Sequence, residues 1–352
     1  VLFHDGRIES LGGTPGVNGG DGKGIRTPDV AFGEVDPNAG ANLVAAQSRF
    51  PTTSPEEMRG FAFAASQSNQ YSRDQLATRL AGYTVDGLDE GYDWLTAFEI
   101  AFGPAERLES LITEQHIAEA IGEYERSQIF IETPWKAYVE GDLDALTDSA
   151  KRGAWIFFTP TDEGGADCAR CHSGDFFTDE AFHVLAVPQI GRGKGDGLTR
   201  TGDFGRFRET RQLKDLYAFR TPSLINVTVT GPWGHDGAFK TLEGMVRHTL
   251  NPAESIRTYD WAQLDRYVLT EDAPANTQKA LARLAYNRRM GVMSVENVDL
   301  TNEQVADLLA FLEALTDPCV TDAACLAPWM PSHEEMELDG HLLNAQLTAV
   351  SP

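Results

Sequence analysis

The feature that most constrains this chain is the segment Cys168-Ala169-Arg170-Cys171-His172. Two thiols separated by two residues lie one short turn apart, and the histidine that follows can place an imidazole beside them. This C-x-x-C-H pattern is typical of covalent haem attachment through two thioether bonds, with the histidine as iron ligand. A zinc half-site would need a second Cys/His pair at suitable spacing, and a thioredoxin-like redox pair would need a βαβ context. The sequence shows neither, so it predicts one c-type haem held by Cys168, Cys171 and His172.

The chain is long and strongly acidic, with 352 residues and a formal net charge of −24. Such a length can bury two hydrophobic cores. The negative charge repels phosphate backbones and anionic membrane surfaces, which argues against nucleic acid as a partner. No apolar run approaches the ~18 residues that a membrane span needs. The charge favours solubility, and an alternative role is to steer a basic electron-donor protein towards the chain.

The other two cysteines, Cys319 and Cys325, lie close together near the end of the chain. Their spacing predicts a small disulfide loop worth ~2 kcal/mol, with two free thiols as the alternative. A disulfide and a c-type haem both indicate an oxidising compartment. Val1 is not followed by a basic n-region and an apolar stretch, so we expect any export signal to lie upstream or to have been removed. These features predict a periplasmic or otherwise exported protein.

Helix signals outnumber strand signals along the sequence. Three threonines can each cap an amphipathic helix, and Thr301 with Gln304 forms a capping box. The predicted helices and apolar faces are Thr113 with Ile117, Ile121 and Tyr124; Thr147 with Ala150, Ala154 and Phe157; and Thr301 with Val305, Leu308, Leu309 and Leu312. Residues 12–24 are dense in glycine and predict a loop, and Ser223–Thr230 is the one short strand candidate. The sequence therefore predicts a mainly α fold with long irregular loops.

Three segments after the haem motif add a family resemblance. They read S-G-D-F-F-T at 173–178, F-R-T-P-S-L-I-N at 219–226 and T-G-P-W-G-H-D-G-A-F at 230–239. With the motif, they resemble the C-terminal haem domain of the bacterial di-haem cytochrome c peroxidase family, which includes the protein-modifying enzyme MauG. The segment Phe3-His4-Asp5-Gly6-Arg7 is similar to the aromatic-Asp-Gly-Arg segment that follows the family's first haem. Here His4 stands where the family often has a tryptophan.

The resemblance covers roughly Val1 to Pro318 and implies two cytochrome c-like haem domains. We expect the first at residues 1–140 and the second, with C-x-x-C-H, at 141–318. A tail with the expected disulfide follows at 319–352. In the family the first C-x-x-C-H precedes the aromatic-Asp-Gly-Arg segment. The resemblance therefore implies a second haem c upstream of Val1, unless that haem has been lost.

The resemblance also implies catalytic residues in the N-terminal part. Gln47, Pro51 and Glu57 keep the family's internal spacing of four and then six residues. In the family, the glutamate is the acid/base at the peroxide-binding haem, and the other two residues line the same pocket. From the residues alone, Glu57 after Ser54-Pro55 equally suits the first turn of a helix.

The second axial ligand of the His172 haem departs from the family pattern. The family places Met or Tyr where this chain has Thr249, whose neutral hydroxyl is a poor iron ligand. We expect His248 to ligate the iron, through local unwinding of its helix before Asn251-Pro252. An open iron site and Met245, one helical turn before Thr249, are the alternatives.

Two further predictions concern calcium and the remaining histidines. Thr230 and Pro232 match positions whose backbone carbonyls hold a calcium ion in the family, and a plain turn is the alternative. Satisfied or solvated roles are expected for His116, His333 and His341, and a structural or propionate-contacting role for His235; His183 receives no role.

The function implied by the resemblance is a periplasmic haem oxidoreductase. It would reduce hydrogen peroxide with electrons from a small donor protein, either a cytochrome c or a cupredoxin. One alternative is a MauG-like oxidase that modifies side chains of a partner protein. The other is a non-catalytic electron-transfer cytochrome with a single haem.

Overall fold

The computed structural model describes residues 1–12, 23–40, 42–63, 66–82, 93–105, 110–292 and 294–330. These residues divide into two compact units. The first unit consists of Val1–Leu2, Arg7–Ile129 and the described residues from Ala324 onwards, and the second consists of Phe3–Gly6 and Phe130–Ala323. Most regular structure is helical and the strands are two residues long, so the predicted mainly α class is confirmed. No described helix is both long enough and apolar enough to span a membrane.

The first unit contains one short antiparallel ribbon and four described helices. Strands β1 and β2 pair with Glu9 opposite Arg26 and Ser10 opposite Ile25. The elements are β1 Glu9–Ser10, β2 Ile25–Arg26, α1 Leu43–Ser48, α2 Asn69–Leu80, α3 Trp94–Phe102 and α4 Glu114–Ser127. Helix α1 crosses α4 at Gly122, where an added Cβ would lie 2.9 Å from the backbone of Ala45. A glycine at this crossing therefore allows the two helices to approach closely.

Helix α4 begins as predicted but buries a different face. The Thr113 side chain accepts a hydrogen bond from the His116 N–H at 3.2 Å, which confirms the cap. Ala118 and Gly122 are buried, whereas Ile121 is 40% exposed and Tyr124 49% exposed. The predicted Ile117–Ile121–Tyr124 face was therefore wrong at two positions, because close packing against α1 selects the small residues.

The second unit carries the remaining helices and a second antiparallel ribbon, in which Phe182 pairs with Arg220 and His183 with Phe219. Its elements are α5 Pro134–Val139, α6 Asp148–Phe158, β3 Phe182–His183, α7 Phe207–Thr210, β4 Phe219–Arg220, α8 Leu242–Leu250, α9 Pro252–Arg257, α10 Ala273–Arg289 and α11 Asn302–Glu313. Helix α12 follows at Ala323–Leu326.

The core of the second unit is the packing of α6 on α11. Phe157 and Phe311 are buried with ring centroids 5.0 Å apart. The backbones meet at Gly153, where an added Cβ would lie 1.9 Å from the Asp307 carbonyl oxygen. On the solvent side, the Arg152 guanidinium donates two hydrogen bonds of 2.7 Å to the Asp307 carboxylate. This interface fixes the end of α6, from which the next segment departs.

Most of the predicted helix starts in this unit are confirmed. Thr147 caps α6, whose Ala150, Ala154 and Phe157 are buried. Thr301 and Gln304 form the predicted capping box of α11. That helix buries Val305, Leu308 and Leu312, and Leu309 is only partly buried.

The strand predicted for Ser223–Thr230 was wrong, because that segment forms a 3-10 turn at Val227–Val229. Asn226 there has a left-handed φ of 61°, which no strand residue adopts.

The disulfide prediction is confirmed, since Cys319 and Cys325 are disulfide-bonded. Residues 13–22 of the predicted glycine-rich loop lie outside the described part of the chain. His333 and His341 also lie outside it.

Candidate haem site

The segment Cys168–Arg170 forms a single 3-10 turn that brings the three motif side chains together. The Cys168 carbonyl accepts hydrogen bonds from the N–H of Cys171 at 3.2 Å and of His172 at 2.9 Å. The turn is anchored to the end of α6, because Ala166 N–H donates to the Ile156 carbonyl at 2.8 Å and Asp167 N–H donates to the Thr159 carbonyl at 2.9 Å. Helix α6 therefore positions the motif.

The His172 ring is oriented so that one nitrogen is held by the protein. Its Nδ1 lies 2.9 Å from the Phe177 carbonyl oxygen, which can only accept a hydrogen bond. The proton is therefore on Nδ1, and Nε2 keeps the lone pair that an iron ligand needs. Burial lowers the pKa of His172, against the opposing effect of the hydrogen bond to Phe177. A neutral imidazole with Nε2 available is the form that binds iron.

The two motif thiols are free, and Cys168 packs against an apolar cluster. Burial raises the pKa of Cys168 to about 12 and that of Cys171 to about 11. These sulfurs stand for the atoms that would form the two thioether bonds to haem. Cys168 and Ala169 pack against the buried side chains around Phe157 and Phe311. Paired thiols, an oriented imidazole and an apolar wall fit haem c.

A second set of possible ligand atoms lies beside the motif. The Cys171 sulfur, an Asp179 oxygen and a His183 nitrogen all lie within 4.8 Å of one another. His183 Nε2 is 2.8 Å from Asp179 Oδ2, and Asp179 N–H donates to the Cys171 carbonyl at 2.8 Å. The pair braces the loop after the motif. This gives His183 a structural contact that the sequence did not predict.

The position of His248 argues against iron ligation. Its side chain is fully buried, with Nε2 2.9 Å from the Leu185 carbonyl oxygen and Nδ1 3.1 Å from the Ser255 hydroxyl. Burial lowers the pKa of His248 to about 4. Helix α8 stays helical to Leu250, so the predicted unwinding was wrong. Both nitrogens are used within the core, and the expectation that His248 ligates iron loses its structural basis.

Thr249 and Met245, the other residues near the predicted second axial position, also have contacts within the protein. The Thr249 hydroxyl donates to the Val246 carbonyl at 2.7 Å. Met245 is partly buried against a cluster that includes Phe239 and Tyr259. An open iron site and Met245 therefore remain the two sequence-based alternatives.

The predicted calcium carbonyls lie in a tight turn. Gly231–Pro232 is a cis peptide bond, and the Thr230 hydroxyl donates to the Val227 carbonyl at 3.2 Å. His235 follows in the same turn, with its ring stacked on Phe219 at a centroid distance of 3.6 Å. The calcium role of Thr230 and Pro232 stays a prediction.

Gln47, Pro51 and Glu57 lie in one stretch of the first unit that backbone hydrogen bonds fold together. Phe50 N–H donates to the Gln47 carbonyl at 3.0 Å, and Met58 N–H donates to the Pro51 carbonyl at 3.0 Å. No helix begins at Ser54–Glu57, where the described residues form turns, so the helix-start alternative for Glu57 was wrong.

Glu57 has a partner that sequence reasoning missed. Its Oε1 lies 2.6 Å from Arg7 Nη2, and the Glu57 side chain is 28% exposed. Arg7 is the last residue of the aromatic-Asp-Gly-Arg segment, so the ion pair joins two of the segments that carry the family resemblance. The sequence could have indicated this ion pair, because Arg7 and Glu57 both lie in segments that resemble the same family.

Comparisons with known proteins agree with these features. The sequence model of the di-haem cytochrome c peroxidase family matches residues 1–144. The methylamine utilization protein MauG of Methylorubrum extorquens is 33% identical over 254 residues, which cover 70% of this chain and 62% of that protein. The corresponding protein of Methylophilus methylotrophus is 28% identical over 245 residues, or 69% of this chain and 56% of that protein. The chain thus spans somewhat more than half the length of these relatives.

The fold has a solved counterpart. The crystal structure of a MauG-like protein associated with microbial copper homeostasis matches with a TM-score of 0.54 at 22% identity. The match covers 85% of this chain and 77% of that protein, and it shows the fold alone. These comparisons support the sequence resemblance to the di-haem cytochrome c peroxidase and MauG family. The similarity to this family implies haem c as the cofactor, which the geometry around His172 fits.

Proposed function

We propose that this chain forms part of an exported di-haem oxidoreductase that reduces hydrogen peroxide with electrons from a small redox protein. The observation that carries the proposal is the His172 ring, whose Nδ1 lies 2.9 Å from the Phe177 carbonyl oxygen, so that the neutral ring has its lone pair on Nε2. The disulfide at Cys319 and Cys325 supports export to an oxidising compartment. The family name supports peroxide as substrate and two haems in the whole protein.

Each haem-binding residue has one task. Cys168 and Cys171 would hold the haem covalently, and His172 would be the iron ligand. The haem, when bound, supplies a redox-active iron. Because a second haem is expected in the family's first domain, we assign the His172 haem to electron transfer. Thr230 and Pro232 would offer backbone carbonyls to a calcium ion.

Glu57 would act as acid and base at the peroxide site. Its carboxylate would accept a proton from the peroxide substrate and return it to the departing oxygen, so that water rather than hydroxide would leave. The Arg7 guanidinium, 2.6 Å away, orients the carboxylate for this task. Gln47 and Pro51 would line the same pocket.

A MauG-like activity is the second candidate. Two relatives matched over more than two thirds of this chain are named MauG, which favours oxidation of side chains on a partner protein. Both candidate functions need the same haem site. They differ in the source of electrons, which is a small redox protein for the peroxidase and side chains of a partner protein for the MauG-like activity. The third hypothesis is an electron carrier with a single haem, which needs no peroxide site.

Two measurements separate these functions. The haem count of the full-length protein should be two, and a count of one in a full-length chain would support the electron carrier. Steady-state peroxide reduction with a reduced small cytochrome should be fast. Slow turnover, together with peroxide-dependent oxidation of a partner protein, would support the MauG-like activity and contradict the peroxidase.

A further inference from the structure

Trp135 and Tyr138 form a pair of oxidisable rings on α5. They are three positions apart on the helix and therefore share one face. Their ring centroids are 5.9 Å apart and their planes are inclined by 30°. Both side chains are half-buried, so the pair extends from the core to the solvent. Tryptophan and tyrosine are among the side chains most easily oxidised by one electron.

The inner end of this pair touches the residue that holds the iron ligand. The Trp135 ring meets the Phe177 ring edge to face, with centroids 6.3 Å apart. The Phe177 carbonyl is the group that fixes His172 Nδ1 at 2.9 Å. Trp135 also packs against the buried cluster that Cys168 and Ala169 contact. One tryptophan therefore links the surroundings of the haem motif to the outer tyrosine.

The outer end of the pair is followed along the chain by an acidic stretch of surface, and the Lys151 ammonium lies 5.6 Å from the Tyr138 ring centroid. Glu140, Asp142 and Asp144 are exposed just after α5. The Lys136 ammonium there is already shared, at 2.8 Å from Glu132 and 3.1 Å from Glu140. Such a surface attracts a positively charged reductant.

We propose that Trp135 and Tyr138 form the route by which single electrons pass from the surface of α5 to the haem held by His172. The inference rests on the haem assignment of the proposed function and does not require peroxide to be the physiological substrate. When a peroxide or peracid has withdrawn an electron from the haem held by His172, Trp135 gives one electron to that haem. Tyr138 then gives one electron to Trp135 and releases its phenolic proton to solvent. A one-electron reductant at the surface returns an electron to Tyr138, which takes up a proton again.

The test oxidises the haem-loaded protein in the absence of a donor. Hydrogen peroxide is used in one arm and peracetic acid in the other. The readouts are the radical signal in frozen-sample electron paramagnetic resonance and the positions of oxidised residues by peptide mass spectrometry. The variants are Trp135→Phe and Tyr138→Phe. The matched control is Trp155→Phe, because Trp155 on α6 is 55% exposed.

The expected result is a tyrosyl signal with oxidation at Tyr138 in the unaltered protein. Tyr138→Phe should lose that signal and leave oxidation at Trp135. Trp135→Phe should lose both marks while its haem absorption spectrum is retained, and Trp155→Phe should change neither. A Tyr138 signal that persists in Trp135→Phe, or oxidation concentrated at Trp155, would overturn the route.

The remaining outcomes are also decisive. Tyr138→Phe removes a single hydroxyl, so it tests the route even if Trp135→Phe does not fold, and an unchanged tyrosyl signal in it would overturn the proposal. A response to peracetic acid alone would contradict the peroxidase function and leave the route supported. Protein without covalent haem would overturn the haem assignment and the route with it.

Discussion

The two units stabilise their interiors by different means. In the first unit the Arg49 side chain is 2% exposed, and its guanidinium lies 3.0 Å from Asp36 and 3.1 Å from Glu114. In the second unit the interior is aromatic, and Phe311 contacts Phe157 and Trp135 at centroid distances of 5.0 and 5.1 Å. The first unit thus holds a buried network of charges in addition to its apolar cluster of Phe98, Leu111 and Ile112, whereas the centre of the second unit is aromatic.

This difference matches the task proposed for each unit. A covalently held haem needs an apolar wall, which the side chains around Phe157 and Phe311 supply. A proton-transferring carboxylate needs a fixed polar partner, which Arg7 supplies to Glu57. We therefore expect chemistry in the first unit to be sensitive to single charges, and haem attachment in the second unit to be sensitive to packing.

The largest expected effect is on catalysis in the first unit. Glu57→Gln keeps the shape of the side chain and removes its acid/base function, so peroxide turnover should fall by roughly 10²–10⁴-fold. Glu56→Gln is the matched control, because Glu56 is exposed and hydrogen-bonds to the Ser54 hydroxyl. The haem absorption spectrum should be unchanged in both. Equal turnover in the two variants would remove Glu57 from the proposed mechanism.

The next effect is on the buried charges of the first unit. Arg49→Met leaves Asp36 and Glu114 without this guanidinium, and removing one partner of a buried ion pair costs about 3–5 kcal/mol. Arg126→Met is the control, since Arg126 pairs with Glu123 on the surface. Such exposed pairs contribute about 0–1 kcal/mol. Denaturant unfolding measures both, and similar losses would mean that the Arg49 network adds little stability.

A smaller effect is expected where backbones cross. Gly153→Ala would place a methyl group 1.9 Å from the Asp307 carbonyl oxygen, whereas Gly122→Ala would place it 2.9 Å from the backbone of Ala45. Overpacking costs about 1–3 kcal/mol, so Gly153→Ala should lower the free energy of unfolding by more than Gly122→Ala does. The reverse order in thermal or urea unfolding would show that the α6–α11 crossing adapts more easily than the α1–α4 crossing.

The smallest expected difference between the two units is in how their stability depends on pH. Burial alone would raise the pKa of Asp36, but hydrogen bonds from Thr27 and Asn38 N–H and the Arg49 charge together lower it from its ordinary value. A lowered pKa in the folded state stabilises the fold above the unfolded-state pKa of about 3.9, and this contribution is lost as the pH falls through the folded value.

Hydrogen exchange followed by mass spectrometry, at pH steps from about 6 down to about 3, checks this expectation. Protection in α1 and α4 should fall before protection in the buried part of α6. Simultaneous loss of protection would show that the Asp36 network does not set the acid sensitivity of the first unit.

Features fixed by neighbouring residues were predictable from the sequence. The C-x-x-C-H turn is closed by bonds to the Cys168 carbonyl, and the cap at Thr113 and the capping box at Thr301 act within four residues. The exposure of Ile121 was not predictable, because it follows from the approach of α1 far earlier in the chain. The contact of His248 with the Leu185 carbonyl was not predictable for the same reason, since Leu185 lies 63 positions away.

The functions proposed above all require that His172 belongs to a covalent haem site. The most direct test is mass spectrometry of the purified protein, with a pyridine haemochrome spectrum of the denatured chain. We expect haem to remain bound through denaturation, on a peptide that contains Cys168 and Cys171, with a c-type spectrum. A protein mass without haem, or a spectrum typical of b-type haem, would contradict the assignment of Cys168, Cys171 and His172 to a covalent haem site.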